Sequence, residues 1–244
     1  MRLLALETSG TTGSVALWEG AEQPAGARSW SGGEGRLFSI ALTVGQRSAQ
    51  SLVPAIQRLL QSADVRPGDV NVIAVTVGPG SFTGLRIGVT TAKTLAYALK
   101  AEVVAVNTLD VLARQAPLDG SRCWAVLDAF RGQLFAASYH RYGSNAWQRD
   151  DATHECALPT VEEWSDMLRA GDIVLGPVLG KLKGKLPGDV QIAPATSWEP
   201  QAETVARLAL ELYREGRRDD LWTLVPYYGR LSAAEEKRGE SAKL

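Results

Sequence analysis

Cysteine and histidine are scarce in this chain of 244 residues, with two of each. Cys123 lies in an apolar run and Cys156 in a polar one, which predicts inert thiols in a reducing compartment rather than a disulfide framework. His140 and His154 stand apart with no His-x-x-x-His spacing, so a zinc cage lacks ligands. The sequence therefore predicts no metal site.

An excess of charge of one sign and a long apolar run are also missing. The 26 Lys and Arg residues are offset by 27 Asp and Glu residues, so no global basic field is available to hold a nucleic-acid backbone. No apolar run approaches the roughly 18–20 residues of a membrane span, and Leu3–Leu6 is too short for a signal peptide. These absences predict a cytoplasmic protein that does not enter a membrane.

The chain does contain enough apolar residues, 45%, for two small domains or one large one. Arg2–Leu6 and Ser14–Trp18 flank a Ser/Thr/Gly turn and predict a β-hairpin. A strand is expected within Arg36–Val44. Apolar residues at helical spacing then predict a helix that begins near Gln50–Leu52, with Pro54 in its first turn.

Strands and helices are expected to alternate along the rest of the chain. Val70–Val77 is almost continuously apolar, which is typical of a strand covered on both faces, and a second helix is expected after the glycine-rich segment that follows. Parallel strands joined by crossover helices give an α/β fold. Further elements are expected at Val103–Val106, Thr108–Gln115, Cys123–Asp128, Gln133–His140, Ile173–Leu175, Val190–Ile192 and from Ala202 to Glu215.

The two halves of the chain both open with a strand–turn–strand pattern, which indicates two related domains. We place them at residues 1–106 and 107–234. The largely polar stretch Gly143–Glu155 is expected to be an exposed loop. Residues 235–244 have almost nothing apolar to bury, so they are expected to form a disordered tail.

The most informative segment is the glycine-rich loop Gly78–Gly84 (GPGSFTG), between a buried strand and a helix. Glycine lets a backbone turn sharply and approach a neighbour closely, and the helix N-terminus after it is a natural anion site. No Gly-Lys-Ser/Thr follows, so this is not a Walker loop. A binding loop and a tight packing corner both remain open. Structural roles are expected for Gly78, Pro79, Gly80, Ser81 and Gly84.

Two other turns have the chemistry to hold a phosphate. The turn Glu7–Gly13 offers hydroxyls and backbone amides in a short run, with Glu7, Thr8 and Ser9 as candidates. Asp128 lies at a strand end, where it could orient a metal–nucleotide phosphate. An ordinary hairpin turn is the alternative for each. No Gly-x-Ser-x-Gly elbow is present, and no catalytic residue is assigned.

Several motifs of this sequence resemble the TsaB (YeaZ) family. The most specific is the run from Val75 to Val89 (VTVGPGSFTGLRIGV). The opening LALETS, the signature Leu52-Val53-Pro54, the hairpin DAFRGQLF and the late segment PYYGRLSAAE agree with it. The resemblance therefore spans most of the chain.

The resemblance implies the fold of actin, sugar kinases and Hsp70-type ATPases, with two small related α/β domains. It implies a non-catalytic subunit of the bacterial complex that forms N6-threonylcarbamoyladenosine in ANN-decoding tRNAs. The implied partners are the catalytic paralogue TsaD and the ATPase TsaE, with a homodimer when the chain is alone. Contact with tRNA would be indirect, through the complex.

The resemblance also bears on whether this chain binds a metal ion or a nucleotide. In the catalytic paralogue a His-x-x-x-His pair supplies two metal ligands, and on alignment these positions fall on Thr108 and Leu112, which cannot replace them. Glu7 stands where the family usually has aspartate, and Ser48 and Ala49 stand where it commonly has a His-Ser/Thr pair. We therefore expect no bound metal and no ATP.

A partner surface is predicted on the first two helices, and the first of them resembles the dimerisation element of the family. Two alternatives to a scaffold function stay open. One is a nucleotide-dependent kinase or ATPase of the same fold that uses Asp128. The other is a metallopeptidase, as older family labels suggest. The candidate contacts on the partner surface are Leu52, Val53, Ile56, Arg86, Val89, Lys93 and Tyr97.

Overall fold

The computed structural model describes residues 1–21, 35–43, 48–141, 147–150, 156–182 and 184–230. These residues form two five-stranded mixed sheets with helices packed on their faces. The α/β class expected from the alternating pattern is confirmed. None of the helices in these ranges is long and apolar enough to cross a membrane. The predicted tail, residues 235–244, lies outside the described residues.

The first sheet combines an antiparallel meander with two parallel strands. Its order is β3-β2-β1-β4-β5, where β1 pairs antiparallel with β2 and parallel with β4. Helices α1 (Ser48–Ser62) and α2 (Phe82–Leu99) flank β4 in sequence and cover one face. The strands are β1 (Arg2–Glu7), β2 (Ser14–Gly20), β3 (Gly35–Ala41), β4 (Val72–Gly78) and β5 (Glu102–Asn107).

The second sheet repeats this topology. Its order, β8-β7-β6-β9-β10, has the same sequence of antiparallel and parallel pairs. This repetition confirms the expectation of two related halves. Its strands are β6 (Arg122–Asp128), β7 (Leu134–His140), β8 (Gln148–Arg149), β9 (Ile173–Leu175) and β10 (Gln191–Ile192), and its helices are α4 (Val161–Met167) and α5 (Leu179–Leu182).

The last helix of each half packs against the sheet of the other half. Helix α3 (Thr108–Arg114) follows the first sheet, but its Leu109 and Leu112 pack in the core of the second. Helix α6 (Ala202–Arg214) follows the second sheet, but its Val205 and Ala209 pack against the first. The two halves are therefore interlocked, and the domain boundaries at residues 106 and 234 stay a prediction.

Three local expectations need correction. Helix α1 begins at Ser48, so Pro54 lies in its interior rather than its first turn. Pro54 and Gln50 are both exposed, so water can satisfy the Gln50 carbonyl that loses an amide partner. Strand β8 lies inside the stretch predicted as a loop, and α4 and α5 were not predicted because elements this short show little periodicity. Residues 44–47, 142–146 and 151–155 lie outside the described ranges, so Val44 and most of the predicted loop do too.

Candidate functional site

The glycine-rich loop packs directly against the β1–β2 turn. A Cβ added to Gly84 would lie 1.9 Å from the Thr8 carbonyl oxygen, and one added to Gly80 would lie 2.5 Å from the Ser9 carbonyl oxygen. The backbone amide of Ser81 donates to the same Ser9 oxygen at 2.8 Å. The glycines are therefore needed because two backbones approach closely, which gives the loop the role of a packing corner.

Ser81 is the N-cap of helix α2. Its Oγ accepts a hydrogen bond from the Gly84 amide at 3.2 Å, which satisfies one of the amides left without a partner at a helix N-terminus. Pro79 follows Gly78 through a cis peptide bond. The Ser81 hydroxyl and the backbone conformation of the loop therefore both serve to begin helix α2.

The β1–β2 turn directs five hydrogen-bond donors at two carboxylates of the chain itself. Glu7 Oε1 accepts from the Ser9 amide at 2.6 Å, the Ser9 hydroxyl at 2.7 Å and the Gly10 amide at 3.0 Å. Glu199 accepts from the Thr11 hydroxyl at 2.6 Å and the Thr11 amide at 3.3 Å. The donors that suggested a phosphate site are therefore occupied by two carboxyl groups of the chain itself.

Glu7 is a fully buried carboxyl group. Burial raises its pKa from 4.5 to about 7, because a charged carboxylate is costly away from water. Hydrogen bonds from Ser9, Thr76 and Gly10 oppose this shift only in part. The Thr76 hydroxyl is close enough to lower the pKa, yet neither it nor Glu7 Oε2 makes a hydrogen bond of standard geometry. Glu7 is thus an incompletely satisfied acid in the core.

Asp128, the second phosphate candidate, is held by groups of its own half. Its Oδ1 accepts from the Phe130 amide at 2.8 Å, and its Oδ2 pairs with Lys181 Nζ at 2.9 Å. Phe130 and Arg131 follow with positive φ values of 63° and 53°, which turn the chain tightly at the hairpin. The structure therefore shows Asp128 stabilising a hairpin and pairing with a cation from α5.

The positions aligned with the metal ligands of the paralogue both lie in the core. Thr108 opens α3 and Leu112 lies one helical turn later, and both side chains are buried. The Thr108 hydroxyl has no hydrogen-bond partner within the described residues. Over those same ranges, no group of three or more His, Cys, Asp or Glu side chains could hold a metal ion.

The seven predicted partner contacts divide into two groups. Leu52, Ile56 and Val89 are buried in the core between the helices and the first sheet. Their stripe holds α1 and α2 to the chain's own sheet, which corrects their assignment as partner contacts. Val53 and Tyr97 are well exposed, and Arg86 and Lys93 lie on the outer side of α2 with contacts described next.

A C-terminal strap, residues 219–230, runs over α2. Lys93 Nζ donates to the carbonyls of Trp222 and Leu224 at 3.2 and 3.0 Å. The Tyr97 and Trp222 rings meet edge to face, with centroids 5.8 Å apart. Arg86 Nε donates to the Tyr228 hydroxyl at 3.0 Å. Three of the predicted contact residues, Arg86, Lys93 and Tyr97, therefore attach the strap to the helix.

The strap also joins the two halves. The Tyr227 amide donates to the Val77 carbonyl at the end of β4 at 2.7 Å, and a Cβ on Gly78 would lie 2.0 Å from the Tyr227 carbonyl oxygen. Further on, Arg230 Nη1 donates to the Ala129 carbonyl in the β6–β7 hairpin at 2.9 Å. The strap therefore runs from the first half to the second.

Large exposed apolar side chains, three of them aromatic, lie on α1, α2 and the strap. We call this set the α1–α2 surface. Sequence reasoning missed its strap members because they lie far from α2 along the chain, although a tryptophan in the polar stretch DDLWT was a usable signal. The surface comprises Val53, Phe82, Tyr97, Trp222 and Val225, which are between 47% and 73% exposed.

Comparison with known proteins finds matches to a TsaD family model and to TsaB proteins. Residues 43–172 match the family model described as "TsaD: tRNA N6-adenosine threonylcarbamoyltransferase". A relative from Bacillus subtilis (strain 168), "tRNA threonylcarbamoyladenosine biosynthesis protein TsaB", is 34% identical over 201 residues, which cover 78% of this chain and 83% of the relative. The Escherichia coli (strain K12) protein of the same name is 27% identical, covering 97% of this chain and 98% of the relative.

A solved structure agrees with these relatives. "YeaZ from Pseudomonas aeruginosa" superposes with a TM-score of 0.75 at 27% identity, covering 93% of this chain and 99% of that one. The agreement extends over both sheets, and it confirms the expected fold of actin, sugar kinases and Hsp70-type ATPases. With these similarities over most of its length, the chain belongs to the TsaB (YeaZ) family.

Proposed function

We propose that this chain serves N6-threonylcarbamoyladenosine formation in tRNA as a non-catalytic subunit that binds the TsaD-type transferase. The observation that carries the proposal is the burial of Thr108 and Leu112 in the core. A hydroxyl and a leucine stand where the resemblance places metal ligands. Neither side chain could hold the metal. The chain therefore keeps the fold but lacks the two metal ligands of the paralogue.

The α1–α2 surface supports a function in binding. Aromatic side chains and arginine are enriched at the centres of protein interfaces, where they contribute most of the binding energy. Here Tyr97 and Trp222 are exposed side by side, and Arg86 lies with its guanidinium 3.9 Å from the Phe82 ring centroid. A partner that buried this surface would remove apolar area that the isolated chain leaves in water.

Such a subunit would act by differential binding. If it binds one conformation of the transferase more tightly than another, it shifts the population toward that conformation without taking part in the chemistry. The same surface would serve the homodimer when the transferase is absent, and the ATPase TsaE would join the assembled pair. Contact with tRNA would be made by the complex, consistent with the near-neutral net charge of −1.

The double variant Tyr97→Ala/Trp222→Ala is expected to weaken binding to TsaD at least about tenfold, because it removes the two most exposed aromatic rings of the surface. Sedimentation of mixtures measures the heterodimer, and reconstituted tRNA modification measures the consequence. The matched control is Phe130→Ala, which removes an aromatic ring that is 72% exposed on the other half. The control is expected to bind like the unmodified chain.

Two outcomes would contradict the proposal. Equal binding by the double variant and the unmodified chain would rule out the α1–α2 surface. Modification of tRNA by this chain alone would rule out a non-catalytic function. ATP turnover by the purified chain that is lost in Asp128→Asn would instead favour the kinase or ATPase alternative.

A further inference from the structure

We propose that the charges around the α1–α2 surface select its partner. Arg86 is a preorganised binding group for a carboxylate, and the partner that fits it is a different protein with an acidic face rather than a second copy of this chain. This inference rests on the proposed function and deepens it, because it names the chemistry that the partner presents and the reason why a homodimer is the weaker assembly.

Helix α2 carries Arg86 on its outer side, in line with exposed rings of the surface. Phe82, Arg86 and Tyr97 are all exposed. Positions 82, 86, 90, 93 and 97 follow the three- and four-residue spacing that places side chains along one face of a helix. Arg86 therefore lies between the aromatic members near the two ends of α2. A partner that covers Phe82 and Tyr97 also covers Arg86.

Two aromatic rings hold the Arg86 guanidinium in one position. Its Cζ lies 3.9 Å from the Phe82 ring centroid and 5.8 Å from the Tyr228 ring centroid, and its Nε donates to the Tyr228 hydroxyl at 3.0 Å. The two Nη atoms make no hydrogen bond or ion pair within the described residues. A guanidinium binds a carboxylate through such paired donors, and one that is already fixed loses little freedom on binding.

The two helices contain no carboxylate that could pair with Arg86. Neither α1 (SAQSLVPAIQRLLQS) nor α2 (FTGLRIGVTTAKTLAYAL) includes an aspartate or a glutamate. Their cations are Arg58, Arg86 and Lys93. Arg58 is exposed and has no hydrogen-bond or ion-pair partner in the part of the chain that the structure describes. Both helices therefore bring only positive charge to this side of the molecule.

The acids of the strap already bind groups of the chain itself. Asp219 accepts a hydrogen bond from the Ala105 amide at 2.7 Å and pairs with Arg217 at 3.4 Å. Asp220 accepts from the Trp222 amide at 3.1 Å. These carboxylates serve to position the strap, so the excess of positive charge on α1 and α2 remains for a partner to neutralise.

A second copy of the chain is a poor match for this charge. A two-fold symmetric dimer brings the same patch of both copies together, so each Arg86 would be buried against helices that carry only cations. Like charges that face each other weaken an interface, and a buried ion without a counter-ion is costly. An acidic face on another protein gains from the same groups. Charge therefore favours the heterodimer over the homodimer.

The first test is the salt dependence of both assemblies, measured by sedimentation of the unmodified full chain alone and mixed with TsaD. Salt screens charges, so between about 50 mM and about 500 mM NaCl the heterodimer is expected to weaken at least about fivefold while the homodimer strengthens. Arg86→Gln is expected to weaken the heterodimer at least about tenfold at the lower salt and to flatten its salt dependence. A heterodimer that ignores salt, or a homodimer that salt weakens, would overturn the proposal.

The second test needs no TsaD. The unmodified chain is mixed with Arg58→Glu/Arg86→Glu, whose helices carry the opposite charge at two positions. At the lower salt the mixed dimer is expected to be at least about tenfold tighter than either homodimer. Equal affinities of the mixed dimer and the homodimers would contradict selection by charge. This arm separates two failures, because a lack of any TsaD binding would refute the proposed function while the mixed dimer still reports on the charges.

The matched control is Lys185→Glu, which makes the same change of charge at an exposed position of the second half. It is expected to leave both affinities and their salt dependence unchanged. Arg58→Glu alone has no side-chain contact to lose within the described residues, so it serves as a second variant should the Arg86 variants not fold. It is expected to weaken the heterodimer at least about threefold. Equal weakening by Lys185→Glu would assign the effect to net charge and overturn the proposal.

Discussion

Glu7→Gln is expected to raise the free energy of unfolding at pH 8 by roughly 3 kcal/mol. The Glu7 carboxyl has a pKa of about 7 in the folded chain against 4.5 for the ordinary group, and each pKa unit corresponds to about 1.4 kcal/mol. The folded state therefore holds this proton more tightly than the unfolded state does. Its contribution to stability is complete below about pH 4.5 and is lost as the pH rises to about 7. A glutamine carries no charge at any of these pH values, so it avoids that loss.

Urea unfolding between pH 5 and pH 8 tests this expectation. The difference in stability between Glu7→Gln and the unmodified chain should grow with pH across this window and level off above pH 7. The control is Glu162→Gln on the exposed side of α4, which should follow the unmodified chain. A stability difference for Glu7→Gln that stays constant with pH would show that the buried carboxyl does not titrate as its burial requires.

Gly84→Ala is expected to destabilise the protein by at least about 3 kcal/mol. Its new methyl group would lie 1.9 Å from the Thr8 carbonyl oxygen, which is a backbone atom that cannot rotate away. Relieving the overlap would move α2 away from the β1–β2 turn and break the Ser81 amide hydrogen bond to Ser9. Overpacking of a rigid contact commonly costs 1–3 kcal/mol and occasionally more, against about 1 kcal/mol gained in helix propensity.

Gly68→Ala provides the matched control for Gly84→Ala, because a Cβ there meets nothing within 4 Å. Its midpoint in urea should stay close to that of the unmodified chain, whereas the midpoint of Gly84→Ala should fall sharply. Retention of the normal midpoint by Gly84→Ala would mean that α2 can shift without cost. The loop would then not be the packing corner that the geometry indicates.

Local sequence patterns predicted most of the first sheet and its helices. The Ser/Thr/Gly turn produced the β1–β2 hairpin, and the long periodic stripe of α1 and the apolar run of β4 were both recognisable. The start of α1 was misplaced because Pro54 is tolerated in the helix interior on an exposed face. Helices α4 and α5 were missed because one or two turns contain too few residues to establish a period.

The contacts of the candidate site were harder to predict from sequence patterns. The turn around Ser9 was recognised as a run of donors, but Glu199, which occupies part of it, comes from 188 residues away from Thr11. The apolar stripe containing Leu52 and Ile56 predicted an interface, whereas it packs on the chain's own sheet. A stripe at helical spacing shows that a face is buried, but it does not show what buries it.

Composition, spacing and motif together specified an α/β chain of two related halves in the TsaB (YeaZ) family, because strand and helix periodicity and a specific glycine-rich segment are local properties. The tertiary structure determined which distant residues are in contact. In the folded chain α3 packs against the second sheet and α6 packs against the first. The strap lies beside Tyr97, and Glu199 accepts a hydrogen bond from Thr11. These contacts join residues far apart in sequence, and their energies depend on burial and distance, which arise when the two halves pack together.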